Sequence, residues 1–253
     1  SEMSDASGTL WLDVGQRCWS STMLEACGLS LGHMPRLVEG SQASGLLRSD
    51  LARRWGLGQN ITVAGGGGDN AASAVGIGAV QAGDGFVSLG TSGVLFVSTD
   101  RFRPNPASAV HAFCHALPGR WHQMSVMLSA ASCLQWAARL TGAADVTQLL
   151  SGVQGLSQQA MDAAPLFLPY LSGERTPHND PFATGSLTGM THDHGPAHLA
   201  YAVMEGVTFG LLDGLQALQQ AGTRVSRLSL VGGGARSALW AQQLSSAMNV
   251  EMK

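Results

Sequence analysis

Phe86-Val87-Ser88-Leu89-Gly90-Thr91-Ser92-Gly93-Val94-Leu95-Phe96-Val97 reads as two apolar runs joined by a four-residue link, the signature of a hairpin. Two other stretches have a different grammar. Ile61-Thr62-Val63-Ala64 is a buried-strand signal that runs into Gly65-Gly66-Gly67-Gly68-Asp69-Asn70 and then a small-residue helix from Ala71 to Val80. Leu228-Ser229-Leu230-Val231 runs into Gly232-Gly233-Gly234-Ala235-Arg236-Ser237 and a helix to about Met248. A hairpin needs antiparallel neighbours, whereas strand–turn–helix units favour parallel ones. Both in one chain predict an α/β fold with a mixed sheet flanked by helices.

Working outward, Thr9 to Asp13 predicts a short strand. Ser21 to Gly28 predicts a short helix with a Ser cap and a terminal Gly, and Leu51 to Leu57 another. Trp121 to Gly142 contains a nearly all-apolar helix, hence a buried one. Leu199, Val203, Val207, Leu211, Leu215 and Leu218 sit at helical spacing on a long helix closed by Gly222. The change of pattern near Leu57 predicts two parts, 1–57 and 58–253. The opening Ser1-Glu2-Met3, and a closing Val250-Glu251-Met252-Lys253 that reads as a strand, predict a piece of a longer protein.

Composition narrows the chemistry. Charged residues make up 12% of the 253, about half the usual share, and hydrophobic ones 45%. That excludes disorder, and the net charge of −3 denies a nucleic-acid binder its basic footprint. No apolar run reaches the roughly 18 residues of a membrane span, so neither a span nor a leader is expected. The only lysine is Lys253. A P-loop, a protein-kinase strand lysine and a Schiff base are therefore excluded. Any phosphate site must use backbone N–H groups, hydroxyls or Arg. Cys18, Cys27, Cys114 and Cys133 include no C-x-x-C pair and read as reduced, which predicts a cytoplasmic protein.

The 33 glycines are nearly twice the ordinary proportion, and many fall just after strands, where α/β sheets bind ligands. Asp69 falls at a helix start behind a glycine run that removes steric cover. A carboxylate there can accept a hydroxyl proton during phosphoryl transfer, or it can simply cap the helix. Gly90-Thr91-Ser92-Gly93 can wrap a phosphate without lysine, or be an ordinary turn. Gly232 to Ser237 can hold a nucleotide on backbone amides, and Gly232-x-Gly234 with Glu251 also partly matches a dinucleotide fingerprint.

His111, Cys114, His115 and His122 have no zinc spacing and read as packed structure, so no metal ligand is assigned. His192-Asp193-His194 reads as surface. Leu168 to His178 is a long loop carrying Glu174, Arg175 and His178, either functional or a Glu174–Arg175 surface loop.

These stretches together resemble one family. Gly-Gly-Gly-Asp69-Asn70-Ala-Ala, Ser88-Leu-Gly-Thr-Ser-Gly93, Phe167-Leu-Pro-Tyr-Leu-Ser-Gly-Glu-Arg-Thr-Pro-His178 and Gly232-Gly-Gly-Ala-Arg-Ser237 follow the motif order of the FGGY carbohydrate kinases, as does Ser4-Asp5-Ala6-Ser7-Gly8-Thr9-Leu10-Trp11. The run through His178 is specific to the family's xylulokinase-like branch. The resemblance covers nearly the whole chain.

It implies the ribonuclease-H-like, actin-like ATPase fold of two lobes, with 1–57 closing the first lobe and 58–253 forming most of the second. It implies ATP-dependent phosphorylation of D-xylulose to D-xylulose 5-phosphate in pentose catabolism, with ATP and Mg²⁺ required. It makes Asp69 the catalytic base and Asn70 a second sugar-binding residue. It sets Gly90, Thr91, Ser92 and Gly93 against the ATP phosphates, Gly233, Gly234 and Ala235 along the adenosine, and Gly189 near the nucleotide. It allows a homodimer and leaves no role for nucleic acid or membrane. Another FGGY sugar or polyol kinase, a non-catalytic actin-like sensor, and a dinucleotide oxidoreductase built on Gly232 to Glu251 remain the alternatives.

Overall fold

The computed structural model describes all 253 residues, in two compact units. One is Ser1–Ala82 with Val97–Arg103 and Ala112–Gln123; the other is Gly83–Phe96 with Pro104–His111 and Met124–Lys253.

In the first unit the Glu2 carboxylate caps helix α1 (Met3–Ala6) by accepting the Ser4 and Asp5 amides. The expected strand at Thr9–Asp13 shrinks to β1 (Leu12–Asp13), paired antiparallel with β2 (Cys18–Trp19), because Ser7–Thr9 is a 3-10 turn. Helix α2 (Ser21–Ala26) is capped by the Ser20 hydroxyl and followed by Gly28 in the left-handed region. Strand β3 (Ala43–Leu46), helix α3 (Ser49–Arg54), strand β4 (Thr62–Ala64) and helix α4 (Asp69–Gly76) follow, with β3 and β4 antiparallel. β4 is exposed along its length, not buried: its only partner is β3. α4 stops four residues short of Val80, where the Ala79 amide folds back onto the Ala74 carbonyl around a left-handed Gly78.

His115 and His122 are buried edge to face, ring centroids 5.9 Å apart. The His115 Nδ1 accepts the Leu117 amide. Burial pushes this imidazole down to about 4, and a backbone hydrogen bond with Ala79 opposes the shift.

A five-stranded sheet runs in the order β11-β5-β6-β8-β7, built from β5 (Asp84–Leu89), β6 (Gly93–Thr99), β7 (His111–Cys114), β8 (Trp121–Met127) and β11 (Arg227–Val231). β5 and β6 form the expected hairpin, and β11 pairs parallel with β5, Val231 opposite Ser88, so the sheet is mixed. The apolar run from Trp121 divides: its first third is strand β8, and helix α5 (Ala131–Thr141) begins four residues later, ending on left-handed Gly142. Glu251 and Lys253 exchange backbone hydrogen bonds with Leu228 and Leu230, so the last residues do extend along β11.

The second unit adds helices α6 (Val146–Val153) and α7 (Gln158–Asp162), and an antiparallel pair of strands, β9 (Leu166–Leu168) and β10 (Ser186–Thr188). Helix α8 (Pro196–Gln220) then packs on α5, α6, β9 and helix α9 (Ala238–Met248). All six of its predicted apolar positions are buried. Its Gly206, Gly210 and Gly214 abut Phe167, Met127 and Ser125, so the helix lies close on the strands along one bare stripe. Trp240 is fully buried, its indole N–H shared between the Met204 carbonyl and the Thr208 hydroxyl, each at 3.1 Å.

Two predictions follow from this packing. A Cβ on Gly93 would lie 3.1 Å from Leu211 and 3.2 Å from Ala130, whereas one on Gly90 would meet nothing nearer than 3.5 Å; neither has positive φ. Gly93→Val should lower the melting temperature by about 3–10 °C through overpacking, and Gly90→Val should leave it nearly unchanged. Equal melts would show that the hairpin is not packed in this way. The second concerns pH. The unfolded His115 takes its proton near 6.5 and the folded one only near 4, so stability is lost as pH falls through that interval. Urea titrations at pH 7 and 4.5 should show His115→Gln gaining on the order of 2 kcal/mol relative to the parent at the lower pH. A constant difference would contradict the buried neutral ring.

Candidate functional site

In the first unit, Asp69 is the first residue of α4, and the N-cap is Gly68. The Asp69 carboxylate is exposed, and its Oδ1 accepts the Asn70 amide at 2.7 Å and the Asn70 side-chain N–H at 3.1 Å. Asn70 is thus tied to Asp69 directly.

The glycines before it serve packing as much as access. A Cβ on Gly65 would lie 2.5 Å from the Glu39 carbonyl, and one on Gly67 would lie 3.0 Å from the Ala116 methyl. Gly66 holds φ near +90°, which an L side chain resists. The Gly68 amide donates to the Ser4 hydroxyl at 2.8 Å, and that hydroxyl donates to the buried Glu2 carboxylate at 2.6 Å. This relay fixes where α4 starts and which way Asp69 faces. Sequence reasoning gave Glu2 and Ser4 no role, and nothing local in Ser-Glu-Met-Ser announces it.

In the second unit, β5 and β11 are parallel neighbours, so the Gly90–Gly93 turn and the Gly232–Arg236 turn leave the sheet side by side at strand carboxyl ends. That is where open α/β sheets take ligands. Gly232, with φ near +90°, crosses the end of β5: a Cβ there would lie 2.8 Å from the Leu89 carbonyl. Gly234 is pressed on Leu89 and Trp240, while the α-carbon of Gly233 faces open space. A cleft of about 700 Å³ opens there, lined by Gly233, Gly234, Arg236, Ser237, Leu134 and Gln135 among others. Ala235 lies in the same turn, its amide donating to the Gly232 carbonyl, but does not line the cleft.

The hairpin tip is bound to the start of α5, which also borders the cleft through Ala131. The Thr91 carbonyl accepts the Ala130 amide at 3.0 Å and the Ser132 hydroxyl at 2.8 Å, and the Gly90 carbonyl accepts the Ala131 amide at 2.9 Å. The Thr91 and Ser92 side chains are exposed and bond to nothing in the chain. Gly93 is buried, so it can offer a ligand only its backbone.

Gly189 is not with them. It follows β10 at φ near +84° and borders a separate, open depression of about 500 Å³ beside Ser157, Thr191, His194 and His198. His194 there is no free surface group: its Nδ1 accepts the Thr191 amide and its Nε2 donates to the Ala163 carbonyl.

The reading of Glu174 and Arg175 as a surface pair is overturned. Glu174 is 3% exposed and makes no ion pair with Arg175. Its Oε1 accepts the Leu128 amide at 3.0 Å and the Arg175 amide at 2.7 Å, and burial raises its carboxyl above the ordinary range. Nearby, burial and the Glu174 charge push the Cys133 thiol up to about 12, so it is inert at neutral pH. Tyr170 and His178 of the same loop bond at 3.0 Å on the surface.

Residues 1–76 match the N-terminal domain and residues 85–253 the C-terminal domain of the FGGY family of carbohydrate kinases. The chain is 54% identical over 246 residues to the xylulose kinase of Escherichia coli K12, which covers 97% of this chain and 50% of that one. It is 35% identical to the xylulose kinase of Bacillus subtilis, covering 99% and 50%. The crystal structure of a xylulose kinase from Brucella ovis superposes with a TM-score of 0.95 at 52% identity, over all of this chain and 51% of that one. The chain thus spans about half the length of the relatives it matches. Its fold is theirs, the actin-like ATPase class expected from the motifs, and the chain belongs to the FGGY family of carbohydrate kinases.

Proposed function

We propose that this chain is part of an ATP-dependent kinase that phosphorylates the terminal hydroxyl of D-xylulose, giving D-xylulose 5-phosphate and ADP. One observation carries the nucleotide half: two glycine turns at the ends of adjacent parallel strands, the second of which lines a cleft whose 700 Å³ suits a small organic ligand. The xylulose kinases it resembles supply the acceptor.

Each group has a step. The Asp69 carboxylate accepts the proton of the sugar hydroxyl as that oxygen attacks the γ-phosphorus, and ADP leaves with the bridging oxygen. Asn70, held on Asp69, orients the sugar. The amides and hydroxyls of Thr91 and Ser92 receive the phosphates at a tip shaped by Gly90 and Gly93, the Gly90 amide itself being held by the Ser92 carbonyl. Gly233 and Gly234 run beside the adenosine, with Ala235 in the same turn, while Gly189 borders the separate depression after β10. No three His, Cys, Asp or Glu side chains gather to hold an ion. Mg²⁺ bound with the nucleotide would neutralise phosphate charge. The four unpaired cysteines, and ATP as co-substrate, argue for the cytoplasm. No helix is long and apolar enough to cross a membrane.

The test is Asp69→Ala in a chain of the relatives' full length. The rate of xylulose phosphorylation should fall by about 10²–10⁴, with ADP affinity within threefold of the parent. A rate within threefold of the parent would remove Asp69 from the role of base. Gly90→Val, which the fold tolerates, should raise the KM for ATP about tenfold and leave that for the sugar nearly unchanged, equivalent to about 1.4 kcal/mol. An unaltered ATP KM would leave the hairpin a mere turn.

A further inference from the structure

The segment Leu128–Ala130, between β8 and α5, is what fastens the phosphate hairpin, and it is itself fastened from the other side. Ala130 donates to the Thr91 carbonyl; Ser129 offers its carbonyl to the Cys133 thiol at 3.4 Å; Leu128 donates to the Glu174 carboxylate at 3.0 Å. Only Ser129 and Ala130 separate the residue that Glu174 holds from α5, whose first amides take the hairpin carbonyls.

The loop that brings Glu174 there is rigidly placed. Glu174 and Asp180 exchange backbone hydrogen bonds at 2.8 Å in both directions. The Thr176 amide donates to the Val126 carbonyl at 3.1 Å, and its hydroxyl accepts the Val126 amide at 3.2 Å while donating to the Ala109 carbonyl at 3.1 Å. Thr176 therefore already joins the loop to β8. Glu174 extends the hold two residues further, past the end of the strand and onto the turn.

A neutral acceptor would satisfy those two amides. The carboxylate instead buries a second oxygen, Oε2, that has no hydrogen-bond partner. Burying an oxygen without a partner is costly. Oε1 meanwhile reaches the Leu128 and Arg175 amides at once, across the gap between loop and turn.

We propose that Glu174 is a positioning residue for nucleotide phosphates: by gripping the Leu128 amide it sets the β8–α5 turn, which sets the Gly90 and Thr91 carbonyls and so the outward aim of the Thr91 and Ser92 donors. The proposal rests on the reading of that hairpin as the phosphate seat. It makes the Ser172–His178 loop part of nucleotide recognition without touching the nucleotide.

Three substitutions in a chain of the relatives' full length separate position from charge. Glu174→Gln keeps an oxygen at Oε1 and removes the charge. Glu174→Asp keeps the charge but is one methylene too short to bridge both amides. Glu174→Ala removes both. ADP affinity is read by calorimetry, with KM for ATP and for xylulose and a thermal melt beside it. The Asp and Ala variants should bind ADP at least tenfold more weakly and raise the ATP KM in step, with the xylulose KM within twofold; Gln should stay within threefold of the parent. If Ala does not fold, the order of Gln and Asp decides. The proposal is overturned if Asp binds ADP as the parent does, if Gln is impaired as much as Asp, or if both KM values rise together with the loss of melting temperature. A parent that binds no ADP would sink the kinase reading first; a parent that binds, matched by all three variants, would sink Glu174 alone.

Discussion

The first amides of α5 have no partners within their own helix, and no side chain caps them; the carbonyls of Gly90 and Thr91 take them instead. A peptide plane can turn its carbonyl only one way. Once those carbonyls point at α5, the tip of the β5–β6 hairpin is held, and the exposed hydroxyls of Thr91 and Ser92 stand on a rigid base. The parallel pairing of β11 with β5 then brings the Gly232 turn alongside, close enough that only glycine fits over the Leu89 carbonyl. The cleft, its position and its glycine lining all depend on this one arrangement.

Asp69 is held by different means. Its helix starts where Ser4 and Glu2 stop the glycine run, and the run is bare because the Glu39 carbonyl and the Ala116 methyl lie against it. Gly65 and Gly67 have no room for a side chain and Gly66 holds a positive φ, so the run stays bare up to an exposed acid. Gly68, not Asp69, is the N-cap residue, yet the Asp69 carboxylate still takes one first-turn amide, that of Asn70, on Oδ1.

Much of this was legible in the residues themselves. The hairpin, the long α8 with its six buried apolar positions, the closing glycines and the two strand–turn–helix units all followed from spacing. What was not legible shares a cause: it depends on neighbours distant in sequence. Trp121–Met127 carries buried His122, Gln123 and Ser125, so no alternation marks it as the strand it is. Thr62–Ala64 reads as core by composition, yet it is exposed because only β3 lies beside it. Glu174, in a run of polar and turn residues, looks like surface; only the meeting of its loop with the end of β8 buries it.

The donors of the Gly90–Gly93 hairpin and the Gly232–Arg236 turn are proposed to form one nucleotide seat. Amide hydrogen exchange of the relatives'-length protein, with and without ADP, addresses it residue by residue. ADP should slow exchange at Thr91 and Ser92 and across Gly233–Arg236, while amides of β3 and β4, which lie in the other unit, keep their rates. Protection confined to one turn, or centred on segments away from both, would contradict it.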